Sequence, residues 1–137
     1  VARFSNESTV LYNWTDDESD PRYTMFRRHL EELKSATTAA GQNLTLVPLP
    51  VPKEGVYQVA NNNQWRQSLY TDAAYSNYLV ANGLVLVPVY GNKNDERAKA
   101  IIGEQFPDRE IIAIDAVSLT EDGGAIHCVT QQQPVKN

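Results

Sequence analysis

The apolar positions of this chain change period several times, and each change marks an element. Thr9-Val10-Leu11-Tyr12 is a short run of β-branched and aromatic residues and predicts a strand. The acidic run Asp16-Asp17-Glu18-Ser19 has no apolar face and predicts a solvated loop. Asp20-Pro21 then predicts a helix start, with Asp as N-cap and Pro at the first helical position. Phe26, Leu30, Leu33 and Thr37 recur on one helical face, and Gly41 is the expected stop. Leu44 to Leu49 predicts a second strand, ended by Pro48, Pro50 and Pro52. From Lys53 to Ala74 apolar residues are few, and Asn61-Asn62-Asn63 marks a long loop of the kind that often carries function. Tyr78-Leu79-Val80 and Leu84 to Val87 predict paired strands joined by a turn at Ala81-Asn82-Gly83, where Asn and Gly tolerate positive φ. Asn94 is placed to cap a helix from Asp95 to Gln105, with Ala98, Ile101, Ile102 and Gln105 at helical spacing and Pro107 after it. Ile111 to Ile114 predicts a buried strand, and Gly123 to Thr130 a glycine-containing segment passing into a last short strand.

The order is strand, helix, strand, then strand pair, helix, strand, which predicts an α/β fold with a repeated strand–helix–strand unit. With 137 residues, 42% of them hydrophobic, residues 1–137 read as a single domain or a piece of a larger protein, with enough apolar side chains for a core. The net charge of −5 argues against a phosphate backbone as partner but leaves a cationic substrate open. No apolar run approaches a bilayer span, so no membrane partner is expected and a soluble chain is, with the cytoplasm favoured. The first residues, Val1-Ala2-Arg3-Phe4, carry no methionine and no signal pattern and read as a fragment boundary. A single cysteine, Cys128, excludes an intrachain disulfide and a thiolate-based zinc site, and no cluster has metal-ligand spacing. No metal and no cofactor is expected.

The chemistry concentrates in Asp122-Gly123-Gly124-Ala125-Ile126-His127-Cys128-Val129-Thr130-Gln131-Gln132. A lone cysteine is more often a small core residue than a nucleophile. Two glycines just before it tilt the balance, because they let a backbone approach a ligand. His127 suggests thiolate activation, but in a strand it would face away from Cys128 and serve only a structural role.

Gly-Gly-Ala-Ile-His-Cys-Val-Thr-Gln-Gln-Gln-Pro, residues 123–134, resembles the nucleophile motif of the agmatine deiminase and bacterial (Porphyromonas-type) peptidylarginine deiminase family. Three other blocks agree with it in the family's order. Ala2-Arg3-Phe4 resembles the segment after the family's His-x-Asp motif. Ala74-Tyr75-Ser76-Asn77-Tyr78, with Asn82-Gly83 and Val87-Pro88, resembles its central block, and Phe106-Pro107-Asp108-Arg109 resembles a turn. The resemblance implies a partial α/β-propeller, about two of five strand–helix repeats, forming the C-terminal part of a guanidine-modifying hydrolase. It implies Cys128 as catalytic nucleophile, attacking a guanidinium carbon held by carboxylates, with a His as general acid and then base. It places Asn77, Gly123 and Gly124 at substrate-binding positions, with Trp65 as a candidate lid. A turn or packing role is the ordinary alternative for each of these four. Ala125 departs from the Gly or Asn of agmatine-specific members, which weakens the case for agmatine over peptidyl arginine.

The family's His-x-Asp pair has no counterpart here. The two histidines are His29, in a predicted helix with an ordinary surface explanation, and His127. The expectation is a deiminase portion inactive alone, pairing with an N-terminal portion or with copies of itself. The competing expectations are a non-catalytic truncated domain kept for binding or assembly, and a cysteine hydrolase unrelated to guanidines.

Overall fold

A computed structural model describes residues 2–52 and 73–133. The predicted loop from Lys53 to Ala74 falls outside the described residues except for its last two positions, and Trp65 and Pro134 lie outside them altogether. Two units of the same plan follow one another. In the first, β1 (Ala2–Phe4) runs antiparallel to β2 (Thr9–Trp14), and α1 (Tyr23–Ser35) crosses over to β3 (Thr45–Pro50), parallel to β2. In the second, β4 (Leu79–Ala81) runs antiparallel to β5 (Leu84–Val89), and α2 (Asp95–Gln105) crosses over to β6 (Glu110–Asp115), parallel to β5. Each unit is thus ββαβ with its sheet in chain order. The repeat is fuller than the predicted strand–helix–strand, because β1 is too short to leave a pattern.

Prolines inside strands are tolerated here for a register reason. The Thr45 amide bonds back toward β2, at Ser8. Positions 45, 47 and 49 therefore face β2, while Pro48 and Pro50 fall on the outward edge, where a missing N–H costs no ladder bond. Pro88 faces the β4 side of β5 beyond Leu86, the last residue β4 pairs with.

Helix α1 starts two residues later than Pro21. Asp20 forms a turn instead: its carboxylate accepts from the Arg22 amide at 2.9 Å and takes the Arg22 guanidinium at 3.0 and 2.8 Å. The helix ends at Ser35, before Thr37 and Gly41. Gly41 (φ +75°) instead turns a short loop bridged by Thr37 and Asn43. Helix α2 matches its predicted bounds, but Asn94 does not cap it. Its side chain donates to the Val51 carbonyl at 2.8 Å, tying the second unit to the first. Strand β6 is not the buried strand expected, since most of its residues are exposed at the sheet edge. The final strand is absent among the described residues: Ser118–Asp122 and His127–Val129 are 3-10 turns.

One core joins the units. Leu11 and Leu49 from the first pack with Tyr75, Tyr78, Val85, Val87, Ala98 and Ile102 from the second, all fully buried. Large apolar side chains buried this way contribute roughly 1.5–3 kcal/mol each. Among the described residues no helix is long and apolar enough to cross a membrane.

Candidate active site

The core ends at a cleft of about 570 Å³ between the units. Its floor and walls come from β1 and β2 (Arg3, Asn13), the start of α1 (Arg22, Met25, Phe26), the segment before β4 (Ala73, Ala74, Ser76, Asn77) and the last turns (Gly123, Gly124, His127, Cys128). Cys128, Asn77, Gly123 and Gly124, chosen from sequence alone, therefore line one space, although Asn77 and Cys128 are 51 positions apart.

Cys128 is exposed, which disposes of the buried-core alternative. Its sulfur accepts a hydrogen bond from Asn77 Nδ2 at 3.0 Å. The other end of the same amide, Oδ1, accepts from the backbone N–H groups of His127 at 2.8 Å and Cys128 at 3.3 Å. Gly124 is buried against the cysteine. A methyl group at position 124 would sit 2.8 Å from Cys128 Cβ and 3.1 Å from its sulfur, so only glycine fits. Gly123 reverses the chain in the left-handed region (φ +86°), which a side chain disfavours.

Asn77 sits on a 3-10 turn, Tyr75–Asn77, that is anchored from behind. The Tyr75 hydroxyl donates to Asp95 Oδ1 at 2.6 Å, and the same carboxylate accepts from the Tyr90 and Asn92 amides. The Tyr90 hydroxyl donates to the Ala74 carbonyl and accepts from the Ala74 amide. Burial, first of all, raises the pKa of both phenols well above the ordinary tyrosine value, so both remain neutral. Arg3 stacks over the Tyr78 ring, 4.4 Å from its centre, and donates to the Tyr78 carbonyl. This holds β1 against the segment that carries Asn77.

One sequence expectation needs correction. His127 does not lie across a strand from Cys128, because the two share a 3-10 turn and line the same cleft. Ala125 is fully buried in the core and does not itself line the described cleft. His29 is half-buried on α1, away from the cleft. Arg22, Asn13 and Ser76 were missed. Ser76 had a signal in its position beside Asn77, whereas Asn13 and Arg22 reach the cleft only through tertiary packing. The charged groups among the described lining residues are Arg3 and Arg22, with no carboxylate. Among the described residues no three His, Cys, Asp or Glu side chains converge as metal ligands.

Comparison with known proteins places the chain in a family. A family profile described as Porphyromonas-type peptidyl-arginine deiminase matches residues 1–134. The agmatine deiminase of Pseudomonas putida is 35% identical over 134 residues, covering 91% of this chain and 36% of that protein. The solved agmatine deiminase of Enterococcus faecalis superposes with a TM-score of 0.88 at 30% identity, over 98% of this chain and 39% of that one. A solved C. jejuni agmatine deiminase superposes with a TM-score of 0.76 at 29% identity, over 93% of this chain and 36% of that one. The chain thus spans under two fifths of the length of these relatives. It belongs to the Porphyromonas-type peptidyl-arginine deiminase family.

Proposed function

We propose that these residues are the cysteine-bearing, C-terminal part of a guanidine deiminase, contributing two of five ββαβ repeats of an α/β-propeller. The observation that carries the reading is Cys128 itself: exposed, at a cleft large enough for a side-chain-sized ligand, with its sulfur held by an amide donor. The substrate is agmatine or a peptidyl arginine, the classes that the relatives' names carry.

The chemistry follows from what a guanidinium needs. Its resonance makes the central carbon a poor electrophile until carboxylates hold the cation beside a thiolate. The Cys128 thiolate attacks that carbon and a C–S bond forms. The C–N bond then breaks, and ammonia leaves with a proton from a histidine acting as general acid. Water gives a proton to the same histidine and adds to the carbon as hydroxide; the C–S bond breaks to return the thiolate, and the new hydroxyl releases its proton to solvent, which leaves a neutral ureido product. Gly123 lines the cleft beside the sulfur, and Gly124 leaves the space that Cys128 itself occupies. The carboxylates come from outside the described lining, whose charged groups are two arginines, and the acid–base histidine is that of the family's His-x-Asp motif and not His127, which lines the cleft on the nucleophile's own turn.

That same lining favours one competing reading, a non-catalytic domain retained for assembly. The deciding experiment mixes the 137-residue chain with the portion of a family relative that it does not match, adds agmatine or an arginine peptide, and assays ureido product. Product that disappears in Cys128→Ala supports the deiminase reading. No product from a mixture shown to associate supports the assembly domain.

A further inference from the structure

Two side chains of the cleft are polar, buried and unsatisfied. Asn13 is 5% exposed and Ser76 is 1% exposed, and both line the cleft. Neither Asn13 Oδ1 nor Ser76 Oγ has a hydrogen-bond partner among the described residues, so the two do not bond each other. Their placement follows from the elements that carry them. Alternate side chains of β2 share a face, so Asn13 continues the side on which Leu11 enters the core. Ser76 is the middle residue of the 3-10 turn, between the fully buried Tyr75 and Asn77. An unmet buried oxygen costs a fold stability, and nearly all such groups in native proteins are paired. Apolar residues at these two positions would avoid that cost.

We propose that Asn13 and Ser76 form a hydrogen-bond acceptor subsite for a neutral N–H donor group, and that its ligand is a ureide. An amide oxygen only accepts, and a hydroxyl oxygen accepts as well as donates, so both suit an N–H donor. The charge of the walls selects the kind of donor. The described lining carries Arg3 and Arg22 and no carboxylate. A cationic donor is repelled there and finds no counter-charge. A ureide is neutral, offers several N–H groups to the two oxygens and turns a carbonyl acceptor toward the arginines. The choice of a ureide among neutral N–H donors rests on the deiminase reading, in which a ureido group is the product formed in this cleft. The two oxygens then contact that group once its charge has gone and carboxylates supplied from elsewhere no longer attract it.

The test is binding rather than turnover. Propylurea and propylguanidinium match in size and differ in charge. Each is titrated into the 137-residue chain while backbone amide chemical shifts are followed. Propylurea is expected to bind more tightly, by roughly threefold or more. Ser76→Ala and Asn13→Leu each delete one acceptor oxygen. Each is expected to weaken propylurea binding by roughly threefold to tenfold and to leave propylguanidinium binding unchanged. The melting temperature is expected to hold or rise in both, because an unmet buried group has been removed. Weaker binding without lost stability is the signature of a ligand subsite; a purely structural role for the hydroxyl would lower the melting temperature of Ser76→Ala, and that result overturns the proposal. So does propylguanidinium binding as tightly as propylurea, or propylurea affinity that neither substitution changes. The comparison of the two ligands needs no variant, so it decides even where a variant does not fold. The deiminase reading can fail separately. Propylurea binding with the expected losses, in a chain that never yields ureido product in complex, supports the subsite and removes only its assignment to a product. Ureido product from a complex whose chain shows no preference for propylurea removes only the subsite.

Discussion

Position 124 shows how narrowly the cysteine is seated. The space a β-carbon needs there is filled by Cys128 Cβ at 2.8 Å and by its sulfur at 3.1 Å. Gly124→Ala must therefore push the turn His127–Val129 outward and stretch the Asn77 bonds. Overpacking of this kind costs roughly 1–3 kcal/mol. The expected result is a lower urea midpoint together with a changed rate of Cys128 alkylation; a variant matching the wild type in both would mean the turn is not held as described. The glycine pair before a lone cysteine was legible from residue identity as a place of close approach to a ligand, whereas the close approach seen is that of Gly124 to Cys128 itself. The relation of His127 to Cys128 was not legible. Five residues between the glycines and Thr130 are too few for periodicity to separate a strand from a 3-10 turn, and the two place adjacent side chains differently. Ala125 lies within the same motif, and its methyl packs into the core.

Among the elements, the N-terminus of α2 does more than cross between strands. Asp95 in its first turn collects the Tyr75 hydroxyl and two loop amides, which couples α2 to the segment that presents Asn77. Asp95→Ala would leave a buried hydroxyl and these amides without their acceptor, and is expected to destabilise the fold by about 1–3 kcal/mol in urea unfolding. Alkaline pH tests the same cluster without mutation. The phenols of Tyr75, Tyr78 and Tyr90 are raised above the ordinary value of 10.0, by burial first and, for Tyr75, by its bond to Asp95 second. Between the unfolded and folded values the native state keeps protons that the unfolded chain releases. The phenols' contribution is therefore complete below about pH 10 and is lost as pH climbs above it. Urea unfolding at about pH 8 and about pH 11 should show this loss, and Tyr75→Phe should reduce it. The long elements were readable because four or five apolar positions define each, as in β2, β5 and α2. Strand β1, with three residues, had no such pattern, and the exposure of β6 reflects its place at a sheet edge, which composition does not encode.

At the scale of the whole molecule, the cleft has one kind of charge on its described walls. Arg3 and Arg22 are its charged lining residues, and Arg22 is paired with Asp20 at 2.8 Å. A guanidinium brought to Cys128 thus meets like charge and no carboxylate there. Electrostatic reasoning predicts that the described walls alone give a cationic reagent no advantage. The fold also leaves apolar side chains outward, Phe4 at 57% and Val129 at 65% exposed, with sheet edges at β1 and β6. We propose that these edges seat the remaining repeats, which bring carboxylates to the cleft. Alkylation of Cys128 by a haloacetamidine, a guanidinium mimic, compared with iodoacetamide reads this directly. The isolated chain should react with the cationic reagent no faster than with the neutral one. Adding the unmatched portion of a family relative should raise the ratio in favour of the cation by tenfold or more, if one carboxylate contact of about 1.4 kcal/mol is gained. Light scattering run alongside establishes whether the two portions associate. A ratio already high in the isolated monomer would place a carboxylate in the cleft from within these residues, and the site would then be complete without a partner. A ratio that stays flat in an associated mixture would mean that association does not build a guanidinium site, and the chain would then act as an assembly domain.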